Sequence, residues 1–187
     1  MKNLYLIAIL PPQQLSEQID EIRKECAERH NVKAALKAPA HITLFRPFFL
    51  EPKRENWLIK LLLPATNQVP FEQELENFDS FNMHVVFIRA IKNASVTSLH
   101  RSISAIINRN KIDPKEVKGN TLFRPHITIA YRDIPPEVFP VMWEEYKNRK
   151  FKRDFIVESF SLLKHDCKQW NVFREFYLKQ SIALTLF

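Results

Sequence analysis

Two histidines of this 187-residue chain stand in the same short word, His41-Ile42-Thr43-Leu44 in the first half and His126-Ile127-Thr128-Ile129 in the second. Both words lie in β-favouring runs, APAHITLFRPF and LFRPHITIAYRD. Side chains on a strand alternate between faces with a period of two. Alternation puts His41 and Thr43 on one face, with Ile42, Leu44 and Phe48 on the other. It likewise separates His126 and Thr128 from Ile127 and Ile129. Each strand can lay its isoleucine face on a core and turn an imidazole and a hydroxyl toward a shared cleft.

A neutral imidazole accepts a proton near pH 7 and an imidazolium gives one. Two of them facing each other supply a base and an acid, each worth roughly 10²–10⁴-fold in rate. A threonine two residues along the same face can donate its hydroxyl to a phosphate oxygen. That set suits phosphodiester cleavage without a metal, in particular the opening of a strained cyclic phosphate. A single H-x-T more commonly marks a strand and nothing else. Here two copies occur in matching contexts, each with a proline within two residues before the histidine.

Other chemistries fit less well. Two histidines with no third ligand at an informative spacing make a poor zinc or iron set, and Asp79 and Asp133 have no spacing that recommends them. No metal and no cofactor are expected. No nucleophile-elbow sequence is present. The one glycine, Gly119, speaks against a glycine-rich phosphate loop or dinucleotide fingerprint. Cys26 falls on an apolar helix stripe and Cys167 in a polar turn, which reads as two free thiols in a reducing compartment.

The elements that must position the motifs follow from periodicity and punctuation. Residues 3–10 read as a buried first strand. Pro11-Pro12 opens a helix with an apolar stripe at Leu15, Ile19, Ile22 and Cys26, ending near His30. The first motif strand spans 41–48. Glu51-Pro52 starts a second helix, carrying Trp57, Leu58, Leu61 and Leu62, that Pro64 stops. Strands are expected at 71–79 and 84–90 with a turn at Asn82. Ser95 caps a third helix with its stripe at Val96, Leu99, Ile103, Ile106 and Ile107. A loop at 112–120 precedes the second motif strand at 122–132. Pro135-Pro136 opens a fourth helix with Val138, Met142 and Tyr146 on one side. Strands at 154–164 and 170–178 flank a polar turn, and 181–187 adds a short last strand. The order holds two rough copies of strand-helix-strand-helix, which predicts an α+β fold of two pseudo-symmetric lobes.

The bulk numbers set the partners. The net charge of +7 favours an anionic partner, RNA or a phosphorylated nucleotide. The apolar run Leu4–Leu10 is short for a leader and runs into Pro11-Pro12, so it reads as a strand and not as a signal peptide. No stretch approaches a membrane span. A cytoplasmic monomer with no membrane partner is the expectation.

At these residues the chain resembles the 2H phosphoesterase superfamily, the LigT-like 2′-5′ RNA ligases and cyclic phosphodiesterases. The resemblance rests on HITL at 41–44 and HITI at 126–129, on the opening LYLIAILPP, on FDSF at 78–81 and FRPHITIAYR at 123–132, and on the closing ESFSLLKHDCKQWNVFREFYL. It covers nearly the whole chain. It implies one domain over 1–187 with a bilobal fold, antiparallel sheet in each lobe, helices outside and a central cleft. It implies that His41 and His126 are the catalytic pair, that Thr43 and Thr128 bind phosphate, and that no cofactor is needed. The implied substrates are RNA ends, 2′,3′-cyclic phosphates or 2′-5′ linkages. Many members carry an arginine where this chain has Tyr131, with Arg132 next; by alternation Arg132 shares the face of His126 and Thr128 and is a candidate substrate contact, as is Tyr131. Phe45, on the face of His41 by the same count, could stack on a base, with a place in the core or in the cleft wall as an equal alternative. A protein of the same fold that binds RNA ends or nucleotides with little turnover is the competing expectation.

Overall fold

The computed structural model describes residues 2–113 and 122–179. Eight strands form one sheet: β1 (Asn3–Ile9), β2 (Ile42–Leu50), β3 (Phe71–Phe81), β4 (Val85–Ala90), β5 (His126–Tyr131), β6 (Lys152–Val157), β7 (Ser159–His165) and β8 (Trp170–Tyr177). Their order is β6-β3-β4-β5-β2-β1-β7-β8, and every pairing is antiparallel. The helices are α1 (Gln13–His30), α2 (Glu55–Leu62), α3 (Ala94–Arg109) and α4 (Val138–Tyr146).

The two motif strands are the central pair, with four strands on either side of the line between them. Ile42 opposite Ile127 is the whole of their register, whereas the neighbouring pairs run on for several residues. The halves are therefore hinged on a narrow seam and diverge beyond it. They interleave in sequence: β1 and β2 sit with the C-terminal β7 and β8, and β6 returns to β3, β4 and β5. The expectation of two consecutive copies missed this exchange.

The run 154–164, read as one strand, is two. Only Glu158 separates β6 from β7, yet β6 pairs with β3 at one end of the sheet and β7 with β1 near the other. The sheet must curl until its ends approach. Neither glycine nor proline marks the break, because it comes from partners far apart in the chain. Smaller differences have local causes. α3 is capped by Asn93, whose side chain accepts the Val96 N–H, and not by Ser95. Pro64 does not end the α2 region outright, since a 3-10 turn at Leu63–Thr66 continues it. The stretch 122–125 is not part of the strand, so β5 starts at His126. The expected loop at 112–120 lies largely, and the expected last strand at 181–187 wholly, outside the described residues.

All four helices bury their stripes in one cluster. Ile19, Ile22 and Cys26 of α1 join Leu58 and Leu62 of α2, Val96, Leu99, Ile103 and Ile107 of α3, and Met142 and Tyr146 of α4. From the sheet this cluster takes Ile7, Ile9, Ile42, Ile88 and Ile127. The other face carries a small separate cluster, Leu6, Ala8 and Leu163 with Leu10 and Trp170. The isoleucines between each His and Thr thus anchor the motifs to the main core. Fully burying such a side chain stabilises by roughly 1.5–3 kcal/mol.

Candidate active site

Carried one residue to either side of Ile42–Ile127, the antiparallel register sets His41 level with Thr128 and Thr43 level with His126. All four side chains leave the face opposite the isoleucines. The cross-strand partners agree: Thr43 pairs with Ala8 of the small cluster, His126 with Arg89, and Thr128 with Phe87. The expected gathering of two histidines and two threonines on one face is what the strands produce.

Both rings are held in the same way. His41 Nδ1 lies 2.8 Å from the Pro39 carbonyl, and His126 Nδ1 lies 2.7 Å from the Arg124 carbonyl, in each case two residues back. A carbonyl only accepts, so each Nδ1 carries the proton and each Nε2 is left with its lone pair. Among the described residues neither Nε2 nor either threonine hydroxyl makes a hydrogen bond. On the His41 side the acceptor belongs to Pro39 itself, and on the His126 side to Arg124, the residue before Pro125. Ala38, ahead of Pro39, is extended (φ −130, ψ 148), and a residue before proline is generally kept from helical geometry.

Burial lowers both imidazoles. His41 is driven down to about 4, first by loss of solvent, then by the positive charges of Arg23 and His126, against the upward pull of the Pro39 hydrogen bond. His126 is lowered by burial against the opposing bond to the Arg124 carbonyl. The charge of His126 thus bears on His41.

Sequence reasoning missed the frame around these rings. His126 is wedged by Phe87 (centroids 4.9 Å) and Phe81 (5.1 Å, edge-on), and those two rings stack at 4.2 Å. The Arg124 guanidinium covers Phe81 at 5.6 Å. Phe81 reaches this place through the β3–β4 turn, where Asn82 and Met83 both have positive φ (45 and 58) and His84 N–H donates to Phe81 O at 2.9 Å. Two consecutive left-handed residues suit the twist of a hairpin. On the His41 side, Arg23 is buried; it pairs with Asp20 at 2.6 Å and donates to the Ala38 carbonyl at 2.8 Å, next to the carbonyl that holds His41. The only early signal was an arginine one place from the α1 apolar stripe.

A family model described as the 2′-5′ RNA ligase superfamily matches residues 11–169. The chain belongs to the 2′-5′ RNA ligase superfamily. No curated protein matches the sequence. Solved structures share the fold: Escherichia coli LigT complexed with 3′-AMP has a TM-score of 0.72 and 20% identity over 96% of this chain and 100% of that one. TT0787 of Thermus thermophilus gives 0.71 and 18%, over 97% and 100%. LigT complexed with phosphate gives 0.61 and 16%, over 96% and 99%. At these identities the likeness is one of fold.

Within this superfamily member, the alternation that placed Phe45 and Arg132 on the motif face breaks down. Opposite β1, the register passes from Ala8–Thr43 to Ile7–Phe45, so Leu44 is an extra residue. Opposite β4, it passes from Phe87–Thr128 to Val86–Ala130, so Ile129 is extra at the corresponding place. A bulge follows each threonine and shifts the alternation by one. Phe45 consequently joins Leu44 in the main core, at 7% exposure, edge-on to Phe48 at 5.8 Å. It is not on the face of His41. Arg132 lies one residue beyond β5, where alternation no longer places it: it is exposed, has φ 66, and its guanidinium sits 5.1 Å from the Tyr131 ring. Tyr131, paired with Val85, takes the place that alternation had given to Arg132.

Proposed function

We propose that this chain is a metal-independent phosphodiesterase that hydrolyses a 2′,3′-cyclic phosphate or a 2′-5′ linkage in RNA ends or small nucleotides. One observation carries the reading: two H-x-T strands paired head to tail through Ile42–Ile127, with both imidazoles held at Nδ1 by a carbonyl two residues back, which leaves both Nε2 lone pairs to face a ligand. The antiparallel pairing gives the site an approximate two-fold axis. A phosphoryl group on that axis has one Nε2 and one threonine hydroxyl to either side. His41 and His126 then act as base and acid. One Nε2 takes a proton from the attacking water as its oxygen bonds to phosphorus; the other ring, protonated, gives its Nε2 proton to the departing ribose oxygen. Thr43 and Thr128 donate to the non-bridging oxygens. No step calls for a metal, and among the described residues no three His, Cys, Asp or Glu side chains come together as ligands. The net charge of +7 suits a polyanionic substrate, and Escherichia coli LigT, of the same fold, has been captured with 3′-AMP.

Tyr131, on the same face, is the side chain best placed to contact the ribose or base. A second reading has a specific observation behind it. Both imidazoles are lowered by burial, so near neutral pH neither holds a proton until an anion restores one. A protein that binds RNA ends or nucleotides with little turnover would look the same. The deciding experiment is a screen of 2′,3′-cyclic nucleotides and short RNAs with cyclic ends, with products separated by the position of the phosphate. Single-phosphate products that disappear in His41→Ala and in His126→Ala are expected. Binding with no product across the panel would leave the second reading.

A further inference from the structure

On the His41 side, the face that carries Thr43 continues across the sheet to a tryptophan. Thr43 pairs with Ala8 and Ala8 with Ser161. Leu6 pairs with Leu163, Leu163 with Val172, and His165 with Trp170. Trp170 thus stands on the same face, packed on the Leu6, Ala8 and Leu163 cluster and only half-buried. Facing it is the connector that enters the first motif. Between them runs a groove of about 410 Å³, walled by Trp170 and Asn171 on one side and by Lys37, Pro39, Arg23 and Lys24 on the other. Pro39 is the residue whose carbonyl holds His41, so the groove adjoins the proposed reaction centre.

The groove is built for a ligand that is both planar and anionic. Lys24 and Lys37 are exposed and make no ion pair among the described residues. Asp20, the one acid in the lining, is already neutralised by Arg23 at 2.6 Å. Arg23 is 3% exposed, and among the described residues its Nε–H has no acceptor. A buried donor without a partner is uncommon and costly in a finished structure. A half-buried tryptophan and two exposed lysines lining one groove are the residue types by which proteins hold a base and its phosphate together.

We infer that this groove binds a nucleotide of single-stranded RNA next to the scissile phosphate, with its base on Trp170 and its phosphate between Lys24 and Lys37. This rests on the phosphodiesterase reading and narrows it: the preferred substrate is an RNA end with at least one further nucleotide, not a mononucleotide. The histidine pair is flanked by an aromatic side chain in each direction, Phe81 beyond His126 and Trp170 beyond His41.

The test uses the full chain carrying His126→Ala, which leaves binding measurable without turnover. A 5′-labelled hexaribonucleotide with a 3′-phosphate is titrated by fluorescence anisotropy, and adenosine 3′-phosphate is measured by competition. Adding Trp170→Ala, or Lys24→Gln with Lys37→Gln, should lower the ratio of hexamer to monomer affinity about ten-fold. The lysine pair should also flatten the hexamer's salt dependence, by roughly 0.7 per lost contact in log–log slope. The lysine variant alters only exposed side chains, so it answers even where the tryptophan variant folds poorly. A ratio that stays put in both variants overturns the groove. Equal competition by a polyglutamate peptide of matching charge also overturns it, because charge alone would then explain binding. If the groove variants lose hexamer binding while the unaltered chain opens no cyclic phosphate, the groove stands and the hydrolytic reading fails. If cyclic mononucleotides are opened and the ratio is unmoved, the reverse holds.

Discussion

His41 should make the folded protein measurably less stable in mild acid, and the size of the effect can be worked out. Burial and the nearby Arg23 charge hold its imidazole at about 4, against 6.5 for the free side chain. Each pH unit of difference is worth about 1.4 kcal/mol, so the full effect is ~3 kcal/mol. The sign follows from which state takes the proton. Below pH 6.5 the unfolded chain protonates His41 while the native ring resists, so the unfolded state binds more protons. Stability is whole above about 6.5, falls progressively as pH drops, and levels off near 4. His41→Gln keeps a donor for the Pro39 carbonyl but cannot titrate. Urea unfolding of both proteins at a series of pH values from 4 to 7 gives the comparison. The wild-type curve should fall more steeply, with the extra loss reaching ~3 kcal/mol at the acid end. Parallel curves would refute the claim that this half-buried ring is uncharged in the native state. Inorganic phosphate at saturating concentration should shrink the extra slope, because an anion at Nε2 favours the protonated ring.

Four further outcomes follow from the site. His41→Ala and His126→Ala should each remove most cyclic phosphate hydrolysis, and the double variant should cost little more, since the pair acts as a unit; multiplicative losses in steady-state rates would separate their roles. The kcat/KM profile should be bell-shaped with its peak below the ordinary imidazole value of 6.5, because both rings are lowered by burial; a peak above 7 would contradict the burial argument, and EDTA should leave the rate unaltered. Replacing Thr43 or Thr128 by valine should reduce the height of that profile by roughly ten-fold or more while its limbs stay put, the mark of a lost phosphate donor and an undisturbed proton pair. Phe87→Ala removes a ring that wedges His126 and is 4% exposed, so it should destabilise by ~3–5 kcal/mol in urea unfolding and lower turnover as well; full stability with full turnover would show that His126 needs no such support.

The paired motif and the order of elements were legible because each is written locally. The H-x-T words carry their own alternation, and α1, α3 and α4 announce themselves by stripes at helical spacing. The exchange between halves was not legible. β6 and β7 read as one continuous alternating strand, and only pairing with β3 on one side and β1 on the other divides them. Nor could local reading find Phe81 and Phe87 around His126, or Arg23 beside the His41 connector, since each is brought in by a different element. Asn82 did give away the turn that delivers Phe81, through its tolerance of positive φ.

The misplaced side chains share one cause. Strict alternation held from His41 to Thr43 and from His126 to Thr128, then failed at Leu44 and at Ile129, the two bulges. A bulge leaves no reliable trace in a sequence when the extra residue is itself a good strand former, and leucine and isoleucine both are acceptable there. That both bulges fall directly after the threonine says more about the site than either motif alone. Without it, Phe45 and Ala130 would crowd the face of the histidines. With it, both go to the core. The pseudo-symmetry of the motif strands therefore lies in the backbone as much as in the repeated word: the two halves share a fault in their pleat at the same place, directly after each threonine, and that fault keeps Phe45 and Ala130 off the face of His41 and His126.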